Sequence, residues 1–373
     1  MKKALTIIVA IMALLSFSAC SSSGKNVKIG VIGPLTGDYS LYGVAVKQGA
    51  ELAMEEINAN GGVLGLDGQV IAYDSKGDGT EGVNAYNRLL NEDEITALVG
   101  ATFSGVTLAI KDLAVLDGVP VLTPTATHPE VTLNAENVFR ACYTDSYQGS
   151  VAAVFASDSL SVDKAAVLYN KDDAYSEGLA MAFIEEFEAS GEVVITEAYS
   201  AGDDDYSSLL TKIAATDAEA IFLPGYVAEV GAVLTQAKDL GMTVPFIGGD
   251  GWDGIEDDYA EVADGYYFGS HYSKADEAEV IQNFISAYEA KYNESPNSLA
   301  ALAYDAVYAM VKAIEEAGST EYAKVVSELA SLKFENAVTG SIQFDSNGDP
   351  VKSISMIQLL DGEHLLVDKV EAK

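Results

Sequence analysis

Short apolar runs alternate with longer stretches of helical periodicity along this chain, and the alternation runs through twice. Val27 to Gly33 (VKIGVIG) is a continuous apolar run of the kind found in strands buried on both faces. From about Leu41 to Asn58, residues Ala45, Gly49, Leu52, Ala53 and Ile57 fall on one helical face, and Asn60-Gly61-Gly62 stops the helix. Val70 to Tyr73 reads as a strand, Glu81 to Asn91 as a helix and Ile95 to Val99 as a strand. Strands alternating with helices of such length predict a parallel, doubly wound α/β sheet.

The pattern then starts again. Lys164 to Tyr169, Val193 to Tyr199, Ala220 to Leu223 and Phe246 to Gly248 read as strands. Between them, Ser176 to Ser190, Asp205 to Ala215 and Val227 to Leu240 read as helices. No Pro- or Ser-rich linker separates the two units, so a hinge of several strands is expected rather than a single tether. The helical stretch from Glu277 to Ala317 is expected to return to the first unit, and Ser341 to Val367 to cross back to the second. The expected division is therefore 27–145 with about 274–345 in one lobe, and 146–273 with about 346–373 in the other.

In open parallel sheets, ligands bind at the carboxyl ends of the strands. One such end lies in Gly100 to Pro129, where Val106, Ile110, Leu113 and Ala114 make one helical stripe. Ser104 and Gly105 stand just before that stripe, where an N-cap belongs, and the end of such a helix is a seat for a carboxylate. The loop Thr123-Pro-Thr-Ala-Thr127 adds three hydroxyls. The other loops at strand ends contribute Tyr42, Phe103, Tyr175, Tyr226, Asp250 and Trp252. Anion seats, one carboxylate and several aromatics suit a zwitterion with an apolar tail. The plain alternative is that Ser104 and Thr127 only cap and turn the chain, and that Phe103 only packs.

The chain opens with Met-Lys-Lys, an apolar run from Ala4 to Leu15 and then Ser-Phe-Ser-Ala-Cys20. That is the pattern of an export signal, and the run is too short to span a membrane. Its ending resembles a bacterial lipoprotein signal in which Cys20 becomes the lipidated first residue, with 21–26 as a flexible tether. Cys142 is the one cysteine after it, expected to be buried and unpaired. The chain carries 57 acidic against 21 basic residues, a formal net charge of −36, so nucleic acid and anionic lipid headgroups are poor partners.

An enzyme is not expected. There is no Gly-x-Ser-x-Gly elbow, phosphate loop or Cys/His cluster with metal spacing, and no cofactor or metal is implied. His128, His271 and His364 are scattered, none near another motif. Asp74 to Asp78 and Asp345 to Asp349 are similar to calcium loops, but Lys76 and the missing later Glu make turns the better reading. A repressor is not expected without a helix-turn-helix segment before the fold, and a receptor would need a separate membrane partner.

The chain resembles the Leu/Ile/Val-binding proteins of branched-chain amino acid ABC importers, with a type I periplasmic-binding fold. The matching stretches are Gly33-Pro-Leu-Thr-Gly37 with Tyr42-Gly43, Val99-Gly100 through Ser104, and Thr123-Pro-Thr-Ala-Thr-His-Pro-Glu130. They continue with Asp173-Ala-Tyr-Ser-Glu-Gly178, Gly225-Tyr226 and Gly248-Gly-Asp-Gly-Trp252. The resemblance implies that Ser104, Thr125 and Thr127 hold the α-carboxylate and part of the ammonium. Tyr226 adds a hydroxyl, and Tyr42 and Tyr175 line the side-chain pocket. Asp250 stands where that family usually carries Glu, and a pocket Phe falls near Leu299. The implied protein is a monomeric, lipid-anchored solute-binding protein on the outer face of the cell membrane that delivers an aliphatic amino acid to an ABC permease. An amide, urea or other small solute, or a ligand-sensing receptor subunit, are the alternatives. Asp250 speaks against a neutral ligand, because a carboxylate closed in a dry cleft needs a cation to face.

Overall fold

The computed structural model describes residues 26–370; the expected export signal, Cys20 and residues 21–25 of the expected tether lie outside the described residues. Val27–Gly33 (β1) is sandwiched, with all but one of its side chains buried, which is why its run is apolar without alternation. Ser40–Ala59 (α1) leads to Gly68–Asp74 (β2), Gly79–Asn91 (α2) to Ala97–Leu98 (β3), and Ser104–Asp117 (α3) to Val121–Thr123 (β4). With Val138–Arg140 (β5) these strands form an all-parallel sheet in the order β2-β1-β3-β4-β5.

Asp145–Val154 (α4) starts the second unit, capped by Thr144, whose hydroxyl accepts the Tyr147 N–H at 3.3 Å. Lys164–Asn170 (β6), Ala174–Phe187 (α5), Glu192–Tyr199 (β7), Ser207–Ala214 (α6), Ala220–Phe222 (β8), Val227–Asp239 (α7), Phe246–Gly248 (β9), Glu256–Ala263 (α8) and Tyr267–Ser270 (β10) follow. The expected helix from Glu277 to Ala317 is two: Glu279–Tyr292 (α9) and Ser298–Ala317 (α10). Asn293 takes the left-handed conformation that ends α9, Pro296 cannot continue it, and the Asn297 side chain accepts the Ala300 N–H at 3.1 Å to start α10. Tyr322–Ala330 (α11), Ile354–Leu360 (β11) and Glu363–Val370 (β12) complete the chain. The second sheet runs β12-β11-β10-β9-β8-β6-β7; it is parallel except at the β10–β11 and β11–β12 pairs.

Helix α10 packs along α1 on the first sheet. The approach needs a glycine at Gly49, where a Cβ would meet the Ala300 carbonyl oxygen at 2.1 Å. Three stretches connect the units: one from β5 to α4, one from β10 to α9, and one from α11 to β11. Two buried cations organise them. Arg140, at the end of β5, donates to the carbonyls of Ala126, His128 and Pro129, to the Thr132 hydroxyl, and to Asp349 at 2.5 Å. Lys352 donates to the carbonyls of Thr339 and Gly340 and to the Thr339 hydroxyl. Asp305 on α10 accepts from that same hydroxyl and from two backbone N–H groups.

Both acidic stretches that are similar to calcium loops are turns. Asp74 accepts the Leu35 N–H and the Thr36 hydroxyl, and Asp345 accepts the N–H groups of Asn347 and Asp349. Cys142 is buried and unpaired. Among the described residues, no helix is long and apolar enough to cross a membrane.

Candidate functional site

The loops that leave β1, β3 and β4 in one sheet and β6, β8 and β9 in the other face each other. Tyr42, on the first turn of α1, joins them. Its hydroxyl donates to the Gly251 carbonyl at 2.6 Å and accepts the Val227 N–H at 2.7 Å. Tyr39 donates to Glu229 at 2.9 Å across the same gap. Phe103 from the first unit stacks on Tyr226 from the second at 4.4 Å, and Tyr226 stacks on Tyr175 at 5.2 Å. Burial raises the phenols of Tyr42, Tyr175 and Tyr226 well above their usual range, so they act as neutral hydrogen-bonding groups.

These rings enclose a narrow cavity. Of the ten expected ligand-binding residues, Ser104, Thr125, Tyr42, Phe103, Tyr175, Tyr226, Asp250 and Leu299 line it. Thr102 and Gly251, neither of them among those ten, line it too. Two residues stand elsewhere. The Trp252 indole packs against Gly248, where a Cβ would meet it at 2.2 Å, and donates to the Leu223 carbonyl at 2.9 Å. Thr127 is fully buried beside the Asp145 carboxyl, off hydrogen-bond geometry. Burial, opposed by Thr127, drives Asp145 well above the ordinary carboxylate range.

The polar groups in the cavity divide by hydrogen-bond direction. Ser104 is the first residue of α3 and not the residue before it; the cap position belongs to Phe103, which makes no side-chain cap. The first-turn N–H groups of a helix lack intrahelical partners, and this turn forms one wall. The Ser104 oxygen accepts the His128 N–H at 3.3 Å, which leaves its proton to donate. Thr125 is the opposite: its proton goes to the Thr102 carbonyl at 2.6 Å, leaving lone pairs to accept. Thr123 turns its hydroxyl to the Ala101 carbonyl and faces no ligand.

Asp250 supplies the charge. Its Oδ1 accepts from Gln148 at 3.0 Å and from the Tyr175 hydroxyl at 2.9 Å, and its Oδ2 lies 2.9 Å from His271 Nε2. A carboxylate has about four lone-pair sites, so three protein partners hold its orientation and leave room for one more donor. The expectation that no histidine lies near a motif is therefore wrong for His271, because β10 runs beside β9 and ends at the same sheet edge. His271 stacks on Tyr143 at 3.7 Å and its Nδ1 is buried with no partner in the protein. Nε2 is the ring nitrogen placed to donate to the Asp250 carboxylate. Gln148 and His271 carry no motif in the sequence; only the packing of α4 and β10 brings them in.

The chain is similar to known binding proteins. A family described as "Periplasmic binding protein" matches residues 26–363. The chain is 35% identical over 350 residues to Leu/Ile/Val-binding protein homolog 3 of Brucella melitensis, covering 91% of this chain and 92% of that one. It is 33% identical over 346 residues to the leucine-, isoleucine-, valine-, threonine- and alanine-binding protein of Pseudomonas aeruginosa, covering 91% of each. Among solved structures, it is similar to the branched-chain amino acid transporter substrate binding protein LivJ from Streptococcus pneumoniae in complex with isoleucine. That likeness has a TM-score of 0.88 at 34% identity and covers 93% of this chain and 100% of that one. All three are named as binding proteins, the solved one as that of a transporter.

Proposed function

This chain belongs to the periplasmic binding proteins, and from that premise we propose that it binds an aliphatic α-amino acid between its two sheets and hands it to an ABC permease. The observation that carries the reading is the opposed polarity of the cavity. The Ser104 hydroxyl and the first turn of α3 donate on one side, suited to an α-carboxylate. Thr125 and Asp250 accept on the other, suited to an α-ammonium. Tyr42, Phe103, Tyr175, Tyr226 and Leu299 surround the remainder and fit an apolar side chain. The names of the relatives support the branched-chain size class.

The reading includes a clamp made of two lobes, 27–145 with about 274–345 and 146–273 with about 346–373, that closes on the ligand. It includes a monomeric protein held outside the cell membrane by a lipid on Cys20. The Lys2-Lys3, apolar, Ser-Ala-Cys20 order supports the anchor. Cys20→Ser is expected to release the protein from membranes with ligand binding unchanged.

The test of the ligand class is calorimetric titration with the twenty amino acids and a set of small amides, repeated on Asp250→Asn. Removing the charge that faces an ammonium should cost about 2–5 kcal/mol of binding, a weakening of roughly thirtyfold to several thousandfold. Unchanged affinity in Asp250→Asn, or saturation by an amide and by no amino acid, would put a neutral solute in its place.

A further inference from the structure

Outside the cavity, Asp253, Glu256 and His364 come together from three places: the turn after β9, the first residue of α8 and the edge strand β12. One ligand atom from each lies within 4.8 Å of the other two. Each residue also carries a buried polar atom with no hydrogen-bond partner in the protein, namely Asp253 Oδ1, Glu256 Oε2 and His364 Nε2. Asp253 is 1% exposed and the His364 imidazole 7% exposed. His364 Nε2 lies 2.9 Å from Glu256 Oε1. An orphaned buried acceptor costs about 1–3 kcal/mol, and here two carboxylates each leave one beside an imidazole.

We propose that Asp253, Glu256 and His364 bind one divalent transition-metal ion. Two carboxylate oxygens and an imidazole nitrogen are donors of the zinc class; calcium and magnesium favour oxygen alone. Lys274 pairs with Glu256 Oε1 at 3.1 Å, so Oε2 is the oxygen left for the ion. A crevice lined by Leu41, Gln48, Gly254, Lys274 and Asn297 reaches Glu256, one of the three.

The site is tied to the first unit. Asp253 Oδ2 accepts the Ser298 N–H at 2.9 Å and the Ser270 hydroxyl at 3.2 Å, and Ser298 starts α10 next to Leu299 of the cavity. An ion on Asp253 braces the residue that joins the two units, so the ion and the cavity ligand strengthen each other's binding by the same factor. This coupling rests on the proposed amino-acid function; the metal site does not.

The test titrates Zn2+, Mn2+ and Ca2+ into the untagged, chelator-treated protein, with His364→Ala and Glu256→Gln alongside. One zinc per chain is expected, with calcium far weaker and zinc affinity falling by about a hundredfold or more in His364→Ala. X-ray absorption of the zinc form should show one imidazole among oxygen ligands. Circular dichroism without metal checks folding; if His364→Ala is unfolded, His364→Phe keeps a ring against Phe268, 5.4 Å away. Absence of saturable one-to-one binding overturns the proposal, as does zinc binding unaltered in both variants, which would assign it to surface carboxylates. Amino-acid titration of the same variants reports on the cavity separately.

Discussion

The Asp250 carboxylate and the His271 imidazole meet at 2.9 Å, buried, at the ends of two neighbouring strands. The pair turns a flexible side chain into a fixed charge, because Gln148 and Tyr175 hold the other oxygen. A site whose charge is held before the ligand arrives loses less freedom on binding.

His271 is thus a positioning residue. His271→Leu keeps the bulk against Tyr143 but removes the donor to Asp250. Ligand affinity should fall by about tenfold, from about 1.4 kcal/mol, and the two-lobed fold should persist. Calorimetry and circular dichroism measure both, and full affinity in a folded His271→Leu protein would remove His271 from this role.

Tyr42→Phe keeps the ring and deletes both hydrogen bonds that join α1 to the Gly251 and Val227 backbone. It should weaken ligand binding by about 1–3 kcal/mol. Small-angle scattering should find the ligand-saturated variant more open than wild type. A radius of gyration equal to that of the wild-type complex would show that these bonds do not hold the clamp shut.

Among the described residues, Asp349 is the one carboxylate paired with the buried Arg140 guanidinium. Asp349→Ala strands that charge and removes the acceptor of the Thr132 hydroxyl at 2.8 Å. Urea unfolding should show a loss of about 3–5 kcal/mol. A loss under 1 kcal/mol would mean that the carbonyl bonds alone satisfy the arginine.

Burial pushes the Lys352 ammonium down to about 8 from 10.5, with Asp305 pulling the other way. Its folded pKa lies below the unfolded one, so between those values the unfolded chain holds the extra proton and stability rises with pH. Burial raises the Cys142 thiol, so the folded state keeps a proton that the unfolded thiol loses above about pH 8.5, and stability falls. From pH 8 to 9.5 the two effects are each about 1–1.5 kcal/mol and opposed. Raised buried tyrosines such as Tyr42 and Tyr175 also lower stability toward pH 9.5. In urea unfolding, Cys142→Ala should therefore gain about 1.5 kcal/mol over that range relative to a Cys142→Ala protein that also carries Lys352→Met, and no difference between the two would rule out a depressed Lys352.

The strand and helix order could be read from the sequence because a sandwiched strand such as Val27–Gly33 and a striped helix such as Ser40–Ala59 write their burial into local periodicity. The parallel sheets and the loops at their carboxyl ends follow from that order, and with them eight of the residues that line the cavity. What periodicity does not hold is direction and partnership. Whether Trp252 faces the cavity or the core depends on the space below Gly248, and whether Thr125 donates or accepts depends on where the Thr102 carbonyl sits. Gln148 and His271 reach Asp250 from helix and strand positions 102 and 21 residues away. Asp253, Glu256 and His364 converge only because β12 folds back antiparallel on β11. Contacts between residues distant in sequence are decided by packing, since a side chain's neighbours across a sheet edge leave no mark on the spacing of its own strand.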